Sequence, residues 1–232
     1  MYRRNLLGTC FLISLSLSSN LALAQLTKLN VGYSALSADQ LPAWVAKESG
    51  IFAKNGLDVQ LIFFTGGTTA ILALVSGDVP ITQVSGPGLV SSALGGSDAV
   101  FIAGGITSLN YVLMGKPGVK SIEQLKGGTL AISRFGSATD SIARFALKKS
   151  GLTIGKDVTL IQVGSGPERL SALKPGRVTA AVINPPSSFI AEKRGMAVLA
   201  HVAQKGLIFQ HTRAATTKKF ILSHNGTVKR CI

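Results

Sequence analysis

Residues 30–87 and 129–186 are two copies of one pattern, 99 positions apart without a gap. Asp58-Val59 returns as Asp157-Val158, and Leu61-Ile62 as Leu160-Ile161. Gly67 returns as Gly166, Ala73-Leu74 as Ala172-Leu173, Gly77 and Val79 as Gly176 and Val178, and Pro87 as Pro186. With Ser34/Ser133 and Gly56/Gly155, twelve of 58 aligned positions are identical, eleven of them within 56–87. A fixed offset constrains a fold more than any short motif does. Two copies, each too long for a solenoid unit, predict two similar α/β lobes facing each other across a cleft, a favoured place for a small ligand. The competing explanation is compositional likeness among Gly-, Ala- and Leu-rich elements; a gapless register of this length argues against it.

Each copy reads as β-α-β-α-β. In the first, strands are expected at 29–33, 57–64 and 79–84 and helices at 41–49 and 69–76, with Pro42 tolerated in a first turn. In the second, strands are expected at 129–133, 158–163 and 178–183 and helices at 138–149 and 168–173. Strands alternating with helices imply a mostly parallel sheet in each lobe. Outside the copies, 100–103, 111–114 and 198–203 are strand-like, 121–125 makes a short helix and 209–215 is extended. A helix starting near Thr217 is expected to have barely begun where the sequence stops.

The first 24 residues read as a secretory signal. Arg3 and Arg4 precede an uncharged, mostly apolar run at 6–17, and Ala22-Leu23-Ala24 offers a cleavage site before Gln25. A membrane anchor needs about 20 apolar residues; this run is shorter and is broken by Ser14, Ser16, Ser18, Ser19 and Asn20. Lipid attachment at Cys10 is the alternative. The expected product is exported to the periplasm. Loss of Arg3 and Arg4 lowers the formal net charge of +14 by two. Such a basic chain suits an acidic solute or an acidic surface. Its basic residues are scattered, the tightest groups being only pairs such as Lys148-Lys149 and Lys218-Lys219, and aromatics are 6% of the chain, so nucleic acid is not an expected partner. Only Cys231 would remain after cleavage, which excludes an internal disulfide and a cysteine metal site. His201, His211 and His224 lack zinc-motif spacing and are expected at the surface or in a second layer. No metal or cofactor is expected.

The stretch Leu41-Pro42-Ala43-Trp44-Val45-Ala46-Lys47-Glu48-Ser49-Gly50-Ile51-Phe52, continuing to Val59, resembles a signature of solute-binding proteins of ABC importers. These serve sulfonates, nitrate, taurine and thiamine-pyrimidine precursors. Gly66-Gly67 with 73–79 resembles the family's second signature, 121–127 its segment entering the second lobe, and 136–140 its second-lobe ligand loop. The match covers about 25–230, and no part of it is specific for one ligand. The resemblance implies a two-lobed periplasmic-binding-protein-like fold: lobe one at 25–110, lobe two at 115–205, and 206–232 returning incomplete to lobe one. It further implies a C-terminally shortened member that works as a monomer with a membrane permease and an ATPase.

In open parallel sheets, ligands bind beyond the carboxyl ends of the strands. Four loops take that position: Ser34-Ala35, Gly66-Gly67-Thr68, Ser85-Gly86 and Gly136-Ser137-Ala138-Thr139. Free N–H groups at a helix start attract sulfonate, carboxylate, nitrate or phosphate. The same Ser and Thr residues would serve as ordinary helix caps without any ligand. Arg134 stands beside the second-lobe loop and suits an oxyanion, though a surface role fits it equally. Asn184 aligns with Ser85 and is a candidate from the second lobe, or a polar turn residue before two prolines. Tyr111 and Trp44 are candidates for stacking on a ligand; Trp44 also fits a core position. The expected function is capture of a small anionic solute for an importer. The alternatives are an enzyme on the same scaffold, like pyrimidine synthases, and a secreted sensor module. Against the enzyme stand the lack of clustered Cys and His, of a G-x-S-x-G elbow and of an evident carboxylate pair.

Overall fold

A computed structural model describes residues 25–106, 109–207 and 210–232. The signal segment and Cys10 lie outside the described residues. Two five-stranded mixed sheets form, each flanked by helices. In the first sheet β1 (Thr27–Tyr33) pairs in parallel with β2 (Leu57–Phe63) and β3 (Ile81–Val84). The second sheet copies this with β6 (Gly128–Ile132), β7 (Val158–Gln162) and β8 (Ala180–Ile183). The 99-residue offset holds down to the register: Val31 faces Leu61 and Ile81, and Leu130 faces Leu160 and Ala180.

The fourth position of each sheet is filled from across the molecule. From β4 (Ala99–Ala103) the chain crosses to β5 (Val112–Gly115), which runs antiparallel between β8 and β9 (Ala197–His201). From β9 it crosses back to β10 (Arg213–Thr217), antiparallel between β3 and β4. The sheet orders are therefore β2-β1-β3-β10-β4 and β7-β6-β8-β5-β9. Two crossings, one between β4 and β5 and one between β9 and β10, join the lobes.

The helices follow from sequence pattern. α1 (Leu41–Glu48) and α2 (Ile51–Lys54) follow β1, and α3 (Gly67–Ser76) follows β2 and ends at Gly77, whose φ of +90° suits a residue without Cβ. α5 (Ala138–Lys149) buries Ile142, Ala143, Ala146 and Leu147, one stripe at helical spacing. β3 and β8 are buried along their whole length because helices cover both faces; β8 (Ala-Ala-Val-Ile) reads as an unbroken apolar run, whereas β3 carries the buried polar residues Thr82 and Gln83. α6 (Gly166–Leu173) starts with a reciprocal cap: Ser165 Oγ accepts from Glu168 N–H, and Glu168 Oε2 accepts from Ser165 N–H at 2.6 Å.

Three segments differ from expectation. α4 (Gly86–Leu94) and α7 (Ser187–Lys193) are helices in segments to which the sequence reading assigned no element. The last helix is far from barely begun. α8 (Lys218–Cys231) has 14 residues, capped by Thr217, whose Oγ1 accepts from Phe220 N–H at 3.1 Å. Arg230 ties it to the start of the first sheet by donating to Gly56 O and Thr27 Oγ1. Phe209 of the expected extended stretch lies outside the described residues. Among the described residues no helix is long and apolar enough to cross a membrane.

Candidate functional site

The carboxyl ends of β1, β2, β3, β6, β7 and β8 open on one cleft between the lobes. Its wall combines Ser34, Ala35, Gly66, Gly67 and Ser85 of the first lobe with Ser137, Ala138, Thr139 and Asn184 of the second. These nine are sequence-expected positions. Helices α3, α4, α5 and α6 start here, so their positive dipole ends point at the same space. The free volume is about 30 Å³, room for only a few water-sized groups.

The other four expected residues stand aside from this wall. Thr68 Oγ1 donates across the lobes to Phe135 O at 2.8 Å. Gly86 is backed against Gln210, to whose carbonyl its N–H donates at 2.6 Å. Arg134 turns back on its own backbone, with Nη1 donating to Ser133 O at 3.2 Å. Gly136 N–H donates to Asp140 Oδ2 at 2.8 Å.

Three features of the cleft escaped the sequence reading. The first is Arg169 on α6, 3% exposed. Its Nε donates to Val182 O at 2.7 Å and its Nη1 to Gly164 O, which fixes the guanidinium against the cleft. Among the described residues it forms no ion pair. Burial draws its pKa down to about 10, so it stays a cation at neutral pH. A buried cation of this kind is costly unless an anion joins it.

The second is a triangle of buried hydroxyls. Ser133 Oγ, Ser137 Oγ and Thr139 Oγ1 lie 2.9 Å from one another. Ser133 N–H donates to Thr139 Oγ1 at 2.8 Å. Ser137 holds the N-cap position of α5 yet makes no side-chain cap bond. Its hydroxyl is spent on the triangle at the cleft wall, so ordinary capping does not explain it.

The third is Asp39, 1% exposed, which sits behind the wall and joins four parts of the chain. Asn184 Nδ2 donates to Oδ2 at 2.6 Å from the second lobe, and Asn110 Nδ2 to Oδ1 at 2.8 Å from the first crossing. His211 Nε2, on the second crossing, lies 3.3 Å from Oδ2. Burial pushes the Asp39 carboxyl up. The hydrogen bond and charge of His211, with the Asn184 and Asn110 amides, outweigh it and hold the group below the usual range. Of the two expected placements for His211, the surface one is corrected, since the residue is buried and paired. Tyr111 and His211 line the cleft with ring centroids 5.4 Å apart. Burial, then the Asp39 charge, pushes the Tyr111 hydroxyl pKa up, so it remains a neutral donor.

Among the described residues no group of three metal-ligating side chains occurs. The arrangement offers a buried cation, oriented hydroxyls and converging helix starts, a chemistry that fits a compact oxyanion.

Residues 23–207 match the NMT1-like family. A Brucella abortus (strain 2308) protein, named only in general terms as a binding protein, is 29% identical over 163 residues, 70% of this chain and 49% of the relative. YtlA of Bacillus subtilis (strain 168), similarly named, is 27% identical over 175 residues, 74% of this chain and 52% of the relative. The chain thus spans about half the length of these curated relatives. A solved structure from Bordetella bronchiseptica RB50 has a TM-score of 0.79 at 23% identity, covering 89% of this chain and 69% of that one. The alkanesulfonate-binding protein SsuA from Xanthomonas axonopodis pv. citri, bound to MOPS, has a TM-score of 0.74 at 18% identity, covering 88% and 70%. The periplasmic nitrate-binding protein NrtA from Synechocystis PCC 6803 has a TM-score of 0.76 at 18% identity, covering 89% and 60%. At these identities the likeness to solved structures is one of fold, and the fold is that of periplasmic binding proteins.

Proposed function

The chain belongs to the NMT1-like family, and from that premise we propose that it captures a small anionic solute between its lobes in the periplasm. The solute is then delivered, chemically unchanged, to the permease and ATPase of an ABC importer. The observation that carries the anion is Arg169: a buried cation at the cleft wall, held by two backbone carbonyls and forming no ion pair among the described residues. Carbonyls fix its direction but leave its charge uncompensated, and an oxyanion supplies that compensation. The hydroxyl triangle and the starts of α3 to α6 add donors around the same volume. Binding of alkanesulfonate and of nitrate by the two structural neighbours supports the same chemical class.

Within this reading the candidate ligand contacts are the nine cleft-wall residues, joined by Ser133, Ser165, Arg169, Tyr111 and His211. Capture by both lobes stabilises the closed arrangement, because only there does one ligand touch both. Calorimetric titration with nitrate, sulfate, methylphosphonate, alkanesulfonates and short carboxylates tests the reading. At least one anion should bind, uncharged analogues should not, and Arg169→Gln should weaken binding about thirtyfold or more. Equal affinity for an uncharged analogue, or undiminished affinity in the variant, would refute it.

A further inference from the structure

We propose that the captured solute is an anion with an apolar tail, its charged group at Arg169 and its tail in a second pocket at the cleft mouth. This rests on the anion reading above. The second pocket has a free volume of about 610 Å³, against about 30 Å³ in the polar cleft. Tyr33, Leu36, Leu41 and Trp44 line it from the first lobe, and Pro167 and Phe189 from the second. Among the described residues no charged side chain lines it.

Continuity with the cleft argues for this occupant. Ala35, Leu36 and Gln40 wall both spaces, so a solute leaving the polar cleft on that side meets the apolar pocket. The cleft accommodates a head group and little more, whereas the pocket has room for a chain or a ring. Its apolar surface is uncovered: Phe189 is 59% exposed and Leu41 53%. Clustered exposed apolar side chains mark binding surfaces, while single ones do not. Trp44 is held edge-on to Tyr33, with centroids 5.5 Å apart and planes at 82°, so one wall is preformed. Because each lobe supplies part of the wall, burying a tail there also favours closure.

Titration calorimetry with n-alkanesulfonates and n-alkanoates of two to eight carbons tests the proposal. The dissociation constant should fall about fourfold per added methylene over several carbons, with either head group. Phe189→Ser should flatten that dependence and leave ethanesulfonate binding unchanged, whereas Arg169→Gln should weaken every member alike. Anions that bind with no dependence on chain length would overturn the tail pocket and leave the anion reading standing. A chain-length dependence shared by n-alkanols and untouched by Arg169→Gln would overturn the anion reading, and the proposal with it. Absence of binding by every member overturns both. A length dependence that survives both Phe189→Ser and Leu41→Ser would refute the placement of the tail. A concentration-dependent dimer dissolved by Phe189→Ser, without length dependence, would assign the pocket to a second copy of the chain and overturn the proposal.

Discussion

Ser137 separates binding from capping at a single hydroxyl. Its Oγ bonds Ser133 and Thr139 at 2.9 Å and caps nothing. Ser137→Ala should therefore weaken the bound anion about tenfold, the loss of one hydrogen bond to a charged group, with little change in melting temperature. Calorimetry beside thermal melts reads both. Asp39 behaves oppositely. Asp39→Ala strips Asn184, Asn110 and His211 of a shared buried acceptor and should cost about 3–5 kcal/mol of stability. The native Asp39 carboxyl titrates below its ordinary value. Its contribution is thus complete above the unfolded value of about 3.9 and is lost as pH falls through the lower folded value. Denaturant melts of both proteins should differ by a constant amount at neutral pH and converge below about pH 4. Neither Asp39 nor Arg169 was legible in the sequence. The partners of Asp39 lie 71, 145 and 172 residues away, and no local pattern joins them. Arg169 had a usable signal, because the 99-residue offset maps 164–169 onto the glycine loop at 65–70. Arg134 drew attention instead through adjacency to the other loop.

At the scale of elements the repeat was legible because both copies keep the same lengths between strands and helices. β3 and β8 fall on corresponding residues, 81–84 and 180–183. The antiparallel strand in each sheet was not legible, since β5 and β10 arrive from the opposite lobe and their pairing is non-local. The glycine loop before α3 also needed coordinates. A Cβ at Gly67 would meet only Ser85 Oγ at 3.9 Å. Gly66 is the tight position: its φ is +89°, and a Cβ there would stand 3.1 Å from Ser133 Oγ and 3.2 Å from Arg134 Cγ of the opposite lobe. Gly66→Ala should cost roughly 1 kcal/mol in strain. It should also lower anion affinity by holding the lobes apart, visible as a larger radius of gyration in solution scattering. An unchanged radius and affinity would remove the loop from the closure contact.

Across the whole molecule, two lobes are joined by two crossings and touch at Ala38 N–H to Pro185 O, Thr68 to Phe135 O and Asn184 to Asp39. Every one of these bonds crosses the cleft, so closure and ligand capture share one surface. On the proposed reading, the net positive charge of the chain would speed the approach of an anion, in addition to the final contact made by Arg169. Raised salt should accordingly slow association more than it speeds dissociation. The most direct test of the account is a crystal structure with the tightest-binding anion of the titration series. The account predicts the anion's charged oxygens within hydrogen-bond reach of the Arg169 guanidinium and of the Ser133, Ser137 and Thr139 hydroxyls, with both lobes in contact with it. A bound anion held elsewhere, with that cleft left to water, would contradict it.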